Sequence, residues 1–566
     1  MQEMNITEPL IEPSVADALV ALERAEDLPE DKRRHWACSL RVTVKALGKP
    51  PELLPARWTA IRIPISRLHH AQLGVTAKTL ANHKANVRAA LGWFAKEENV
   101  PSRGAPLTPD WARLRKGVSH YRTRANLSSL MRYCSARAVR PEEVTEFILD
   151  EFMRYRATTT ALASNAAARR RIARAWNGCI GVVPGWPSQR LLEPPPKSSL
   201  RGPAWEEFPA DLRENIDTYL ASLTQIRRDA RGRRRAPCKP STIKLCRAKL
   251  VAFVRKAVGT GIPLDSIPSF RQLFDPDLVE HAFDAYWRDS GEDPSVYLID
   301  LASLLMGIAR QMRCIDEAAI ARLDDMRAAL EKHRSVGLTE KNMALVRQVL
   351  SSQVWRLVVN LPWQLMQEAK AIRDYAPVKA AGLAQLAVAI GILCVFPVRL
   401  GNLGAIRIGE NLIRPGGPGT PYWLVFSGYD VKNRVRLETI FGDELTELIE
   451  DYIHNHLHVL LRGSNEPYLF PGMRGGHKGL ATLSSQITKR IQKATGLRVT
   501  VHQFRHAAAA LILKAKPGNY EYVRRILGHR NIQTTINFYI GLETVQASQE
   551  FGEIIRRELR FEQDAA

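Results

Sequence analysis

The 566-residue sequence predicts a mainly α protein of α+β type, with one small antiparallel sheet late in the chain. Two patterns predict it. Apolar residues recur at helical spacing through most of the chain, and strand-like alternation is confined to residues 422–441. Composition agrees, since 45% hydrophobic and 25% charged residues are ordinary globular values. At roughly 150 residues per domain, the length allows three or four domains.

The elements follow in order. Residues 1–73 have little periodicity and no assignable role; they begin acidic and without an apolar run, so no signal peptide is expected. Residues 74–183 read as a helical extension and a candidate DNA-binding module. Within 79–94, Leu80, Val87, Leu91 and Phe94 form an apolar face opposite Lys78, Lys84 and Arg88. Further helices are expected at 127–134, 141–156 and 163–176, with Pro141 at a first helical position followed by Glu142 and Glu143. Residues 184–203 carry Pro184, Pro187, Pro194, Pro195, Pro196 and Pro203, each lacking a backbone donor, and read as a linker.

Residues 204–335 form a second helical region. Its clearest helix spans 241–258, capped by Ser241 or Thr242, with Ile243, Cys246, Leu250, Val254 and Val258 on one stripe. Arg227, Arg228, Arg231, Arg233, Arg234 and Arg235 precede it. Such a run is either a solvated loop or a phosphate-contacting arm; the charge of the whole chain favours the arm, with Lys244 beside it. The last region, 336–566, opens with Gly337-Leu338-Thr339 and a long helical stretch. Its apolar run 380–398 is read as a buried core helix, because Lys379 and Arg399 flank it and Gly382, Gln385 and Gly391 interrupt it. Two strands are expected in 422–441, around Tyr422 to Phe426 and Val435 to Ile440, with a turn at Ser427 and Gly428.

Lys plus Arg is 81 and Asp plus Glu 58, a net charge of +23, and the pI is about 9.9. That surplus calls for a polyanionic partner, nucleic acid first and an anionic membrane second. The seven cysteines are scattered, with no C-x-x-C pair, which excludes a disulfide framework or a cysteine zinc site and fits the reducing cytoplasm.

Five segments of the last region carry candidate chemistry. They are Arg399 in Pro397-Val398-Arg399-Leu400, Lys432 in Asp430-Val431-Lys432-Asn433, His502-Gln503-Phe504-Arg505-His506, Leu527-Gly528-His529, and Tyr539 after Thr534-Thr535. Taken singly, each fits an ordinary structural role. In this order they resemble the tyrosine recombinase, or phage integrase, family, whose signature runs Arg, Lys, His-x-x-Arg, His, Tyr. The resemblance covers about the last 230 residues, and residues 204–335 resemble the family's core-binding domain. Where the family often has Glu, this sequence has Asn402. Its usual Gly before the first arginine is replaced by Pro397-Val398, and the step from His529 to Tyr539 is one residue longer than the commonest spacing.

The resemblance implies a catalytic domain over 336–566 with a C-terminal helix, and a site-specific recombinase that cuts and rejoins double-stranded DNA. Tyr539 would form a 3′-phosphotyrosine; Tyr520 and Tyr522 precede His529 and rank below it. Arg399 and Arg505 would clamp the phosphate oxygens and Lys432 would protonate the leaving 5′-oxygen. His502 would assist proton transfer, and His529 would donate to the phosphate. It implies no cofactor, neither a divalent ion nor ATP, and no membrane. Its partners would be DNA, further protomers in a synaptic tetramer, and other recombinases where needed. The expected location is the cytoplasm, at the nucleoid. Two alternatives stay open: a type IB topoisomerase-like relaxase, and a non-catalytic DNA-binding regulator of the same fold.

Overall fold

A computed structural model describes residues 13–96, 107–162, 164–195, 202–229, 232–335, 337–350, 353–463 and 466–564. Backbone contacts divide the chain into two units, one of Met1–Glu193 with Gly337–Ala566 and one of Pro194–Val336.

In the first unit the chain begins with α1 (Val15–Glu23), α2 (Glu30–Leu47), α3 (Trp58–Arg67) and α4 (Ala77–Phe94). Ser14 and Asp17 start α1 with a reciprocal cap, each side chain satisfying the other's backbone N–H. Val15, Leu22, Leu40, Val87 and Leu91 share one core, so α4 packs with the helices before it. The next helices are α5 (Pro109–Gly117), α6 (Tyr121–Ala136), α7 (Glu146–Thr159) and α8 (Ala166–Asn177), around Trp111, Leu130, Phe152 and Trp176.

Two readings of this stretch change. Pro141 opens a short 3₁₀ turn, Pro141–Glu143, and the α-helix starts only at Glu146. The cause is local: the Glu143 carboxylate turns back to accept from the Arg140 backbone N–H at 2.8 Å, closing the turn. The proline-rich stretch also packs over its first part. Trp186 and Leu191 are buried, the Trp176 indole donates to Gln189 O at 2.9 Å, and the Asn177 amide bonds both backbone groups of Leu191 at 2.8 Å.

The second unit holds α9 (Ala210–Ser222), strands β1 (Arg227–Arg228) and β2 (Arg234–Arg235), α10 (Pro240–Gly259), α11 (Phe270–Leu273), α12 (Pro276–Asp289), α13 (Val296–Met312) and α14 (Glu317–Glu331). Leu212, Ile216, Phe253, Val254, Leu298 and Leu305 lie in its core. Pro240, not Ser241 or Thr242, sets the start of α10: it occupies the first turn, where its missing N–H is not needed. The arginine run folds into an antiparallel hairpin, Arg227 opposite Arg235 and Arg228 opposite Arg234.

The C-terminal part of the first unit continues with α15 (Glu340–Leu350), α16 (Gln353–Ile372), α17 (Pro377–Val395) and α18 (Leu400–Gly404). The sheet follows: β3 (Leu412–Ile413), β4 (Trp423–Phe426) and β5 (Leu437–Ile440), antiparallel in that order. Then come α19 (Asp443–Asn455), α20 (Leu457–Leu461), α21 (Leu480–Thr495), α22 (Gln503–Ala515), α23 (Tyr520–Leu527) and α24 (Ile532–Asp564). Among the described residues α17 alone is long and apolar enough to cross a membrane; Ala384, Ala387, Val388 and Ile392 bury it in the core that also holds Leu448, Ile449 and Phe504. Gly391 sits where α17 meets α19, and a Cβ there would lie 2.9 Å from Leu445 Cδ1. The predicted strands are present, each shorter by one or two residues, with β3 added at the edge.

Candidate active site

Burying α17 fixes the place of Arg399. The helix ends at Val395, Pro397 and Val398 are buried, and Arg399 becomes the N-cap residue of α18. Its backbone carbonyl accepts from Leu403 N–H at 2.9 Å. Its side chain is half-buried, and burial holds its ionisation below the ordinary range for arginine. Nη1 is sealed from solvent without a hydrogen-bond partner among the described residues. Asn402, one turn on, donates to Asp430 O at 3.2 Å and so ties α18 to the loop between β4 and β5.

Arg505 lies in the first turn of α22 and is only 3% exposed. Its guanidinium donates to Pro397 O at 3.0 Å and to Leu527 O. It therefore fastens the segment before Arg399 to the segment before His529. Burial, then the nearby Arg399 charge, lowers its pKa to about 10. His502 stands at the exposed start of the same helix, its pKa lowered by desolvation, Arg505 and Arg399.

His529 follows Gly528, which closes α23 in a left-handed conformation at φ +58°. The His529 Nδ1 is 2.9 Å from the hydroxyl of fully buried Thr535. Burial, with Arg505 and Arg399 next, pushes its pKa down to about 4. Tyr539 is on α24, 3% exposed, its phenol oxygen 2.9 Å from His506 Nδ1. Burial raises the phenol to about 12, opposed by Arg505, while burial, then His502, Arg505 and His529, lower His506 to about 4. His502 and His506 meet edge to face, ring centroids 5.0 Å apart.

Arg399, Arg505, His502 and His529 thus gather within electrostatic reach of one another, with Tyr539 against Arg505 and His506. Lys432 is exposed on the β4–β5 loop. Its neighbour Asn433 donates to Gly528 O at 2.8 Å, which anchors the loop beside His529. Tyr520 and Tyr522 lie on α23, away from the His506 contact.

The candidate DNA-contacting arginines belong to the second unit. Arg227 and Arg228 are on β1, Arg234 and Arg235 on β2, and Lys244 is exposed on α10. Arg231 lies outside the described residues. Asp229 accepts from the side chains of Arg233 at 3.0 Å and Arg235 at 2.8 Å, so the turn neutralises part of the run.

Such an arrangement can bind a dianionic or developing oxyanion: two guanidiniums and two imidazoles converge, one buried donor lacks a partner, and a phenol waits beside them. Among the described residues no group of three or more histidine, cysteine, aspartate or glutamate side chains is placed to hold a metal ion. Sequence reasoning gave no role to His506, Thr535 or Asn433. The signal for His506 was present, since it directly follows Arg505; the contacts of Thr535 and Asn433 needed the fold.

The phage integrase family model matches residues 365–544. Transposase A from transposon Tn554 of Staphylococcus aureus is 27% identical over 117 residues, 20% of this chain and 31% of that protein, so the chain spans under a third of that relative's length. Similar solved structures include a lambda integrase dimer fragment bound to a COC′ core site, at 17% identity and TM-score 0.33, covering 57% of this chain and 93% of that one. Another is the XerH site-specific recombinase bound to difH substrate, at 15% identity and TM-score 0.29, covering 57% and 89%. Over residues 365–544, which hold Arg399, Lys432, Arg505, His529 and Tyr539, the chain carries a domain of the phage integrase family.

Proposed function

We propose that this protein is a site-specific tyrosine recombinase that cuts and rejoins DNA strands to integrate, excise or resolve a mobile element. The observation that carries this is the partnerless buried Nη1 of Arg399 within a cluster of cations around an enclosed phenol. A scissile phosphodiester supplies the missing anion.

In the reaction, the Tyr539 oxygen bonds to phosphorus and the bond from phosphorus to the 5′-oxygen breaks. The phenolic proton passes to His506, which is neutral at pH 7 with its pKa near 4. Lys432 gives a proton to the departing 5′-oxygen. Arg399 and Arg505 hold the non-bridging oxygens in forked geometry, and His529, oriented by Thr535, adds a hydrogen bond. His502 stands at the rim, where it can relay a proton to solvent. The reverse attack by a 5′-hydroxyl rejoins the strand, so the bond energy is kept and no nucleotide is consumed.

The transposon-borne relative supports a mobile-element setting. Exposed Phe551, Ile554 and Ile555 on α24 favour contact between protomers on DNA over a monomeric topoisomerase.

The test is a nicked suicide substrate carrying the cognate site. Wild-type protein should form a covalent adduct and Tyr539→Phe none; His506→Gln should slow adduct formation by about 100-fold or more. An undiminished adduct in Tyr539→Phe would remove Tyr539 as the nucleophile.

A further inference from the structure

Two helical cores of the N-terminal segment meet at α3 and α7. The Trp58 indole donates to Thr159 O at 3.1 Å, and Arg62 donates to Ala157 O at 2.6 Å and Thr160 O at 3.2 Å. These bonds satisfy carbonyls at the C-terminal end of α7, which a helix leaves open. Beside the seam lies a cavity of about 660 Å³, within the usual range for small-ligand sites.

Its lining is distinctive in charge. Arg88 of α4, Arg132 of α6, Arg156 of α7 and Arg171 of α8 all face it, and no aspartate or glutamate occurs among its described lining residues. Burial, and then the charge of Arg171, lowers the pKa of Arg156, so two like charges stand close in a partly desolvated wall. Like charges held together oppose folding. Four helices from two cores nevertheless bring them to one place. Arg88 lies over one face of the Trp58 ring at 5.8 Å, and Tyr155, which packs on Tyr133 at 5.2 Å between centroids and lies 5.5 Å from Arg137, lines the cavity from α7, so aromatic rings adjoin the cations. Arg132 is oriented by Ser128, its guanidinium donating to the carbonyl at 3.1 Å and the hydroxyl at 2.8 Å.

We propose that this cavity is a phosphate-binding site that takes one nucleotide unit, its phosphate among Arg88, Arg132, Arg156 and Arg171 and its base against Trp58 or Tyr155. Guanidiniums match phosphate oxygens in forked pairs, and aromatic faces accept any base by stacking. The nucleotide unit comes from a DNA strand or is free in solution; the recognising chemistry is the same. The site lies outside residues 365–544, so it goes beyond strand cleavage and does not depend on it.

The experiment uses the full chain. Binding of a fluorescein-labelled non-cognate duplex is followed by anisotropy across a salt series, and binding of deoxyadenosine monophosphate and of inorganic phosphate by thermal shift. The variants are Arg156→Gln with Arg171→Gln, and separately Ser129→Glu, which places a carboxylate in the lining while keeping every arginine. Arg154→Gln is the control, since Arg154 is exposed on α7 and faces Glu151 instead. Both cavity variants should weaken duplex binding about tenfold, and the double variant should lower the salt slope by about two, whereas the control should do neither. Loss of the mononucleotide shift with duplex affinity unchanged would assign the site to a free nucleotide. Equal behaviour of wild type and both cavity variants toward all three probes would overturn the proposal. So would an equal loss in Arg154→Gln, because generic surface charge would then account for it. Adduct formation by wild type and Tyr539→Phe on the nicked substrate, scored in parallel at saturating DNA, tests strand cleavage and separates the two readings.

Discussion

His506 Nδ1 stands 2.9 Å from the phenol oxygen of Tyr539, joining residues 33 apart in sequence inside a closed wall of the site. The pair is neutral at pH 7: burial keeps the phenol near 12 and the imidazole near 4. In the proposed reaction this contact keeps the Tyr539 phenol protonated until a phosphate arrives, with the proposed proton acceptor His506 already in contact.

The same pair makes the fold sensitive to acid. His506 and His529 both titrate near 4 in the folded chain, against an ordinary 6.5. Between those values the unfolded chain binds protons that the native one refuses, so stability is full above about pH 6.5 and falls as pH drops toward 4. Each pKa unit of depression contributes about 1.4 kcal/mol. The melting temperature should decline from pH 7 to pH 5, and His506→Gln should flatten that decline. A pH-independent melting temperature over this range would contradict the burial of both rings.

Arg399 and Arg505 should separate in stability though not in activity. Arg505→Ala strands the carbonyls of Pro397 and Leu527, at about 1–3 kcal/mol for each buried group left unpaired. Arg399→Ala removes a buried donor that has no partner among the described residues, and with it a repulsion against Arg505. Thermal melts should therefore show Arg505→Ala destabilised and Arg399→Ala unchanged or raised, while adduct formation falls about 100- to 1,000-fold in both. A destabilised Arg399→Ala would mean that the guanidinium is structural.

Much of this was legible in the sequence because the chemistry constrains residue type and order. Arg399, His502, Arg505, His529 and Tyr539 are scattered through 141 positions, yet their order and local motifs marked them before the fold gathered them. The apolar run of α17 and the alternation around Trp423 and Leu437 were equally plain. What stayed hidden depends on competition or on distance. Pro141 looked like a helix start because the return of Glu143 to the Arg140 N–H leaves no periodic trace. Nothing in the local sequence pattern ties Arg88, Arg132, Arg156 and Arg171 together; the seam between two cores draws them to one cavity. His69 and Gln72 bond the carbonyls of Lys493 and Thr495, contacts across more than four hundred residues that no local pattern announces.

Gly528 should tolerate no side chain. Its φ is +58°, and a Cβ would lie 2.7 Å from Leu437 Cδ2 on β5. Gly528→Ala should cost about 1 kcal/mol for the left-handed backbone, and more for the clash. It should also displace His529 and lower adduct yield. Adding Leu437→Ala should restore yield in part while the backbone cost remains. Full activity in Gly528→Ala alone would show that this turn does not set the position of His529.

Strand cleavage should proceed in EDTA without added nucleotide. The groups proposed to meet the phosphate are two guanidiniums, the His502 and His529 rings as hydrogen-bond donors, and Lys432 on the adjoining loop. Arg399 and Arg505 already depress each neighbouring imidazole, so the local potential is positive before DNA binds. A divalent cation would enter such a site against repulsion, and among the described residues no group of three or more histidine, cysteine, aspartate or glutamate side chains is placed to hold one. Exposed Asp443 and Glu444 instead begin α19, where negative charge suits the helix N-terminus. The assay is cleavage and transfer on a cognate site with chelator present, at fixed ionic strength. Modest stimulation by Mg²⁺ is compatible with this chemistry, since divalent ions also help bring two duplexes together. An absolute requirement in the single-turnover cleavage step, restored by titrating metal back, would show that the arginine clamp does not suffice and would overturn the mechanism.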